Sequence, residues 1–124
     1  MGSHMVSDDL DALHSKFPAC ETLAFADLST KMILVTNTDS PHQREALDTL
    51  CAEAALTLGP AGNPAIGDSP SDAAFIATRD QIKIFLRAES EPTDVLCCIC
   101  QPDLDIPAFL SEARPCLQKI SGGG

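Results

Sequence analysis

The sequence predicts an α+β fold in which helices flank one five-stranded antiparallel sheet. The elements run helix, strand, strand, helix, strand, strand, strand, helix. Three observations carry this expectation. Apolar residues recur at helical spacing over 46–58 and 106–120. Five short segments alternate with period two, or are apolar on both faces. Short connections join the strands within each run, as hairpins require.

The first helix is short. Ser7 is placed as its cap, Asp8 and Asp9 suit its positive end, and Leu10, Leu13, His14 and Phe17 share a face before Pro18 stops it. Thr22 to Asp27 and Lys31 to Asn37 read as two strands. In the first, Leu23 and Phe25 oppose Thr22, Ala24 and Ala26; in the second, Met32 and Leu34 oppose Ile33 and Val35. The connection between them lacks Gly, so a loop longer than a two-residue type I′ turn is expected.

The second helix has the clearest local signals. Ser40 reads as its cap, Pro41 as its first residue and Gln43 as the closing member of a capping box. Its stripe is Ala46, Leu47, Leu50, Cys51, Ala54 and Leu58, with Glu53 on the flank within reach of water, and Gly59-Pro60 terminates it. The alanines Ala46, Ala52, Ala54 and Ala55 allow another backbone to approach closely. Residues 60–72 are dense in Pro, Gly, Ser, Asn and Asp and read as a loop.

Ala73 to Thr78 is apolar on both faces, with Ala74 and Ile76 opposite Phe75 and Ala77. A tight turn at Arg79-Asp80 leads to Gln81–Arg87, where Ile82, Ile84 and Leu86 alternate with Lys83, Phe85 and Arg87. Asp94 to Gln101 reads as a central strand covered on both sides. The last helix begins near Asp105 and presents Ile106, Phe109, Leu110, Ala113, Leu117 and Ile120, with a kink expected at Pro115.

Residues 1–5 resemble the scar of a cleaved tag, 6–120 form a single domain and 121–124 a flexible glycine-rich tail. The formal net charge is −10, from 18 acidic and 8 basic residues. That charge repels phosphate backbones and anionic membranes, and the absence of Tyr and Trp removes the usual stacking platforms, so neither nucleic acid nor membrane is an expected partner. The longest apolar run, Val95 to Cys100, is too short to span a bilayer. Most of the six cysteines lie in apolar periodic segments, which points to reduced thiols and a cytoplasmic location.

With the elements in place, the chain resembles a roadblock-type domain, the fold of one class of dynein light chains. The resemblance runs from about Leu10 to about Ile120. It rests on the element order and on particular stretches: Leu23-Ala24-Phe25-Ala26-Asp27, Met32-Ile33-Leu34-Val35, the helix Glu45 to Ala52, and Leu96-Cys97-Cys98-Ile99-Cys100. Relatives often carry Asp-Gly in the first hairpin, and this chain does not. The resemblance implies a profilin-like α/β sandwich and a homodimer paired through the central helix and third strand. It also implies a non-catalytic regulator or scaffold of small Ras-like GTPases or motor complexes.

The residues support pairing on their own terms. An edge strand with two apolar faces is an aggregation hazard unless covered, and a two-fold mate covers it. The candidate interface is Leu47, Leu50, Cys51, Ala54 and Leu58 on the helix, with Ala73, Ala74, Phe75, Ile76 and Ala77 on the strand. The bland reading of the helical stripe is that it packs on its own sheet, and part of it must.

No catalytic, metal or cofactor site is expected. Cys97 points away from Cys98 and Cys100 on a strand, so at most two of these sulfurs share a face, short of a zinc site's four ligands. His14 reads as packed or capping, His42 as solvated, and Asp27 and Asp39 as turn or cap residues. Gly59-Pro60-Ala61-Gly62 lacks the lysine and spacing of a phosphate loop. A rival from another class is a small-ligand sensor of PAS- or profilin-like shape, with a pocket under 60–72 lined by Phe75, Phe85 and Phe109.

Overall fold

A computed structural model describes residues 6–37, 43–58, 73–88, 91 and 93–122. Its elements are α1 (Val6–Lys16), β1 (Cys20–Asp27), β2 (Met32–Thr36), α2 (Arg44–Leu58), β3 (Ala73–Ala77), β4 (Ile82–Arg87), β5 (Asp94–Cys100) and α3 (Ile106–Gly122). The strands form one sheet in the order β2-β1-β5-β4-β3, and every neighbouring pair is antiparallel. This is the α+β architecture expected from the sequence.

The strand pleat divides the interior into two cores. Leu23, Phe25, Ile84, Leu86, Leu96, Cys98 and Cys100 face α1 and α3 and meet Leu10, Leu13, Phe109, Ala113 and Leu117. Ala24, Ala26, Phe85, Val95, Cys97 and Ile99 face α2 and meet Leu50, Cys51, Ala54 and Leu58. β5 is buried on both sides because it lies at the centre of the sheet with helices above and below. Phe17 and Phe109 meet edge to face, with ring centroids 5.3 Å apart, and join the end of α1 to α3.

Several local expectations need correction. Ser7 does not cap α1, because the helix already includes Val6. Gln43 is not inside α2. Its carbonyl accepts the N–H of Leu47 at 3.0 Å, so it is the half-helical residue before Arg44, and Ser40 and Pro41 lie outside the described residues. Ile33 and Val35 do not share a face. A bulge sets Phe25 against Val35 but Ala26 against Ile33, so Leu34 is the extra residue and the alternation inverts around it. Ile33 therefore packs toward α2 and Val35 toward α1 and α3.

The first hairpin does use a longer loop, since Asp27 pairs with Met32. Asp27 Oδ1 accepts from the Ser29 N–H at 2.8 Å and from Ser29 Oγ at 2.6 Å. Lys31 takes the left-handed position at φ 59°, where glycine would cost less.

The last helix is capped by Asp105, whose Oδ1 accepts the Ala108 N–H at 3.3 Å. It runs on through Pro115. Pro115 has no N–H to donate to the Ser111 carbonyl, and both residues are exposed. Residues 121 and 122 belong to this helix rather than to a tail: Ser121 Oγ donates to Asp94 Oδ2 at 2.8 Å and fastens the helix end to the start of β5.

Candidate functional site

The open edge of β3 is the first part of the site. Among the described residues β3 bonds to β4 alone, in an unbroken register from Ala73↔Leu86 to Ala77↔Ile82. The Thr78 N–H donates to the Gln81 carbonyl at 2.8 Å, which makes that position a bonded pair. Bonded and non-bonded pairs alternate along an antiparallel ladder. The backbone groups of Ile76 and Ala74 therefore point into the sheet, and those of Ala73, Phe75 and Ala77 point out of it. The strand carries no charge. Phe75 is 47% exposed, on the face that carries α1 and α3.

The other edge differs in kind. β2 exposes Met32 and Leu34, at 45% and 55%, but its bulge interrupts the row of backbone groups that an added strand would need.

Of the ten residues expected at the interface, six keep accessible surface in the single chain: Leu47, Ala73, Ala74, Phe75, Ile76 and Ala77. Leu50, Cys51, Ala54 and Leu58 are 1%, 1%, 0% and 3% exposed and pack on their own sheet. They set the height of α2 over the sheet. Leu56, at 83% exposure, stands on the outer surface of α2 and was not singled out by sequence reasoning. Its signal was available: it is a large apolar residue that falls off the stripe of Leu47, Leu50, Ala54 and Leu58.

Glu53 is bound to the sheet, not simply turned to water. Its Oε1 accepts from Lys83 Nζ at 2.7 Å, with both side chains largely covered. The pair ties α2 to β4, the strand beside the open edge.

The remaining candidates resolve into structural roles. Cys97 and Cys98 lie on opposite faces, and burial pushes both thiols well above their ordinary range. Burial, reinforced by Asp48 and Asp27, also raises Cys51. Cys116 is pushed up to about 11, mainly by burial and then by Asp9. None of these is an activated nucleophile, which needs the opposite shift. Among the described residues no group of three His, Cys, Asp or Glu side chains is placed to hold a metal. His14 Nδ1 lies 2.6 Å from the Cys20 carbonyl, so it donates there. Asp27 serves its turn. His42, Asp39 and residues 59–62 lie outside the described residues.

The three phenylalanines proposed for a ligand pocket do not converge. Phe85 is buried beneath α2, Phe109 is buried across the sheet beside α1, and Phe75 is on the rim. Alternation along β4 puts Phe85 on the opposite face from Ile84, the partner of Phe75. A groove of about 240 Å³ runs between α1 and α3, with Cys116 and Pro115 in its wall and the ion pairs Lys16–Glu112 (2.8 Å) and Lys119–Asp9 (3.4 Å) along it. Among the described residues no helix is long and apolar enough to cross a membrane.

Solved structures share this fold. The Roadblock/LC7 domain from Streptomyces avermitilis matches with a TM-score of 0.78 at 11% identity, over 97% of this chain and 97% of that one. Myxococcus xanthus MglB matches with a TM-score of 0.72 at 16% identity, over 96% of each chain. MglB in a tetrameric arrangement matches with a TM-score of 0.73 at 12% identity, over 94% of this chain and 85% of that one. No protein-family model and no curated protein matches the chain. The fold is the roadblock fold.

Proposed function

We propose that this chain is a non-catalytic, cytoplasmic interaction module that forms a homodimer through β3 and α2. The paired module docks a protein partner, with a small Ras-like GTPase as the leading class and a motor complex as the other. The observation that carries the reading is the β3 edge: regular, uncharged, paired on one side only among the described residues, and bearing a half-exposed Phe75.

A two-fold axis through Phe75 sets Phe75 against its own copy, and Ala73 against Ala77 of the second subunit. The outward N–H and C=O groups of all three residues are then satisfied, and two sheets become one. Small side chains at Ala73 and Ala77 let the two phenylalanine rings lie side by side. The bulged β2 edge offers no comparable ladder, so β3 is the favoured side. The tetrameric arrangement of one similar structure supports association as a habit of this fold.

In the dimer the α2 helices flank the two-fold axis, where Leu47 and Ala55 supply half-buried surface and Leu56 an exposed apolar contact for the partner. The roadblock fold and the resemblance of the sequence support a regulator or scaffold. Multi-angle light scattering at micromolar concentration tests the association. Twice the chain mass of 13.1 kDa is expected, and a clean monomer would remove the basis of the proposal.

A further inference from the structure

Two thiols face each other across the sheet, away from the proposed interface. Cys20 opens β1, and its partner in β5 is Cys100. The Gln101 N–H donates to the Ala19 carbonyl at 2.8 Å, so Ala19 and Gln101 occupy a bonded position and Cys20–Cys100 is the adjoining non-bonded one. At such positions the Cα atoms stand about 4.5 Å apart and the side chains lean together. That spacing lies inside the window of roughly 4.4–6.8 Å that a disulfide accommodates.

Both side chains point to the α1 and α3 face and lie in the same buried cluster. Other thiol pairs lack this geometry. Cys97 and Cys98 are adjacent on one strand and face opposite ways, and Cys51 reaches Cys97 from a helix rather than across a ladder.

We propose that Cys20 and Cys100 are a redox-convertible pair, which a hydroperoxide closes into a disulfide joining β1 to β5. Once fraying brings water and hydrogen peroxide to the pair, the Cys100 thiol gives its proton to water and the thiolate attacks one peroxide oxygen. The O–O bond breaks, the departing oxygen takes up a proton from water and leaves as water, and Cys100 becomes a sulfenic acid. The Cys20 sulfur then displaces the sulfenic hydroxyl, which takes up the Cys20 proton as a second water. Two S–H bonds and one O–O bond are lost, one S–S bond forms, the two sulfurs give up two electrons and the peroxide accepts them.

The location sets the rate. The pair is buried, at 0% and 1% exposure, but lies one residue inside the open end of the ladder, between exposed Pro18 and exposed Gln101-Pro102. Fraying of that end admits the oxidant, so the reaction is slower than at an exposed thiol. Reclosure shelters the product from reductants. The bond staples α1–β1 to β5–α3 and closes a loop through most of the domain, so it constrains the unfolded chain.

The test uses the unmodified full chain. It is exposed to hydrogen peroxide, then read by thiol titration in denaturant, intact mass and peptide mapping. The expected result is loss of two of the six thiols, a mass lower by two hydrogens, and a linked peptide pair carrying Cys20 and Cys100. Dithiothreitol should reverse all three, and the bridged form should unfold at a higher denaturant midpoint than the reduced form. Cys20→Ser and Cys100→Ser should each abolish the bridge, and Cys51→Ala should keep it. Six surviving thiols, a bridge mapped to another pair, or oxidation to sulfinic acid without a bridge would each overturn the proposal. Because the decisive reading is on the parent chain, no variant has to fold for the test to count.

Discussion

The side-chain oxygen of Asn37 accepts the backbone N–H of Leu23 at 2.9 Å, in the buried junction between β1 and β2. The Asn37 N–H in turn donates to the Leu23 carbonyl at 3.0 Å, and Asn37 Nδ2 donates to the Glu21 carbonyl at 3.3 Å. One residue past the end of β2 thus finishes the ladder with its side chain. Asn37 is 1% exposed, so nothing in solvent can replace these bonds. Asn37→Leu should destabilise the fold by about 1–3 kcal/mol, the cost of a buried polar group left unsatisfied. Urea unfolding followed by circular dichroism measures it; an unchanged midpoint would show that the bonds contribute nothing.

Phe75 should set the register of the homodimer. Phe75→Lys places like charges face to face at the two-fold axis and should weaken association by about 2 kcal/mol or more, read as a shift from dimer to monomer in sedimentation. Phe75→Cys should give a covalent dimer under mild oxidation, because a bonded antiparallel pair holds its Cα atoms about 5.5 Å apart. Ala74→Cys should not, since its own copy is not its opposite number in that register. The reverse pattern would move the axis off Phe75.

Leu56 should separate partner binding from assembly. At 83% exposure, Leu56→Asp should leave folding stability within about 0.5 kcal/mol and the dimer intact. Binding of the protein partner should fall at least tenfold in a pull-down titration. Full retention of binding would take the outer face of α2 out of the docking surface.

The Glu53–Lys83 pair should contribute modestly. Its 2.7 Å contact is partly covered but still reaches solvent, so a double-mutant cycle with Glu53→Gln and Lys83→Met should return a coupling of about 0.5–1 kcal/mol, smaller at high salt. A coupling indistinguishable from zero would mean that α2 is held by its apolar stripe alone.

The thiols should make the fold sensitive to alkali. The Cys116 pKa is raised from 9.0 to about 11 on folding. A raised thiol pKa means that the folded state holds its proton where the unfolded state has lost it. Its contribution is therefore complete below pH 9.0 and disappears as pH rises toward about 11. Buried Cys51, Cys97, Cys98 and Cys100 shift in the same direction and should steepen the loss. Denaturant midpoints across this range should fall with pH, less steeply for Cys116→Ser. A flat profile would contradict the assigned shifts.

The architecture was legible in the sequence wherever local pattern and tertiary environment agree. Ile82, Ile84 and Leu86 alternate because one face of β4 meets α1 and α3, and Phe109, Ala113 and Leu117 recur because one stripe of α3 meets the sheet. What failed was set by partners distant in the chain. The Leu34 bulge exists only in register with β1, and Met-Ile-Leu-Val shows no glycine to announce it. Asn37 reads as an ordinary strand end until Leu23 is placed beside it. The site was half legible. The uncharged β3 composition pointed to an edge, but the same apolar signal on α2 marked core at Leu50 and Ala54 and surface at Leu56. Periodicity ranks residues by face and does not say how much of that face the sheet already covers.

The unequal edges of the sheet also limit how far assembly can proceed. A strand added at β3 by a second copy uses up that edge on both molecules, and what remains at either end is a bulged β2. Such a sheet grows once and then stops, so raising the concentration should multiply finished particles rather than lengthen a fibre.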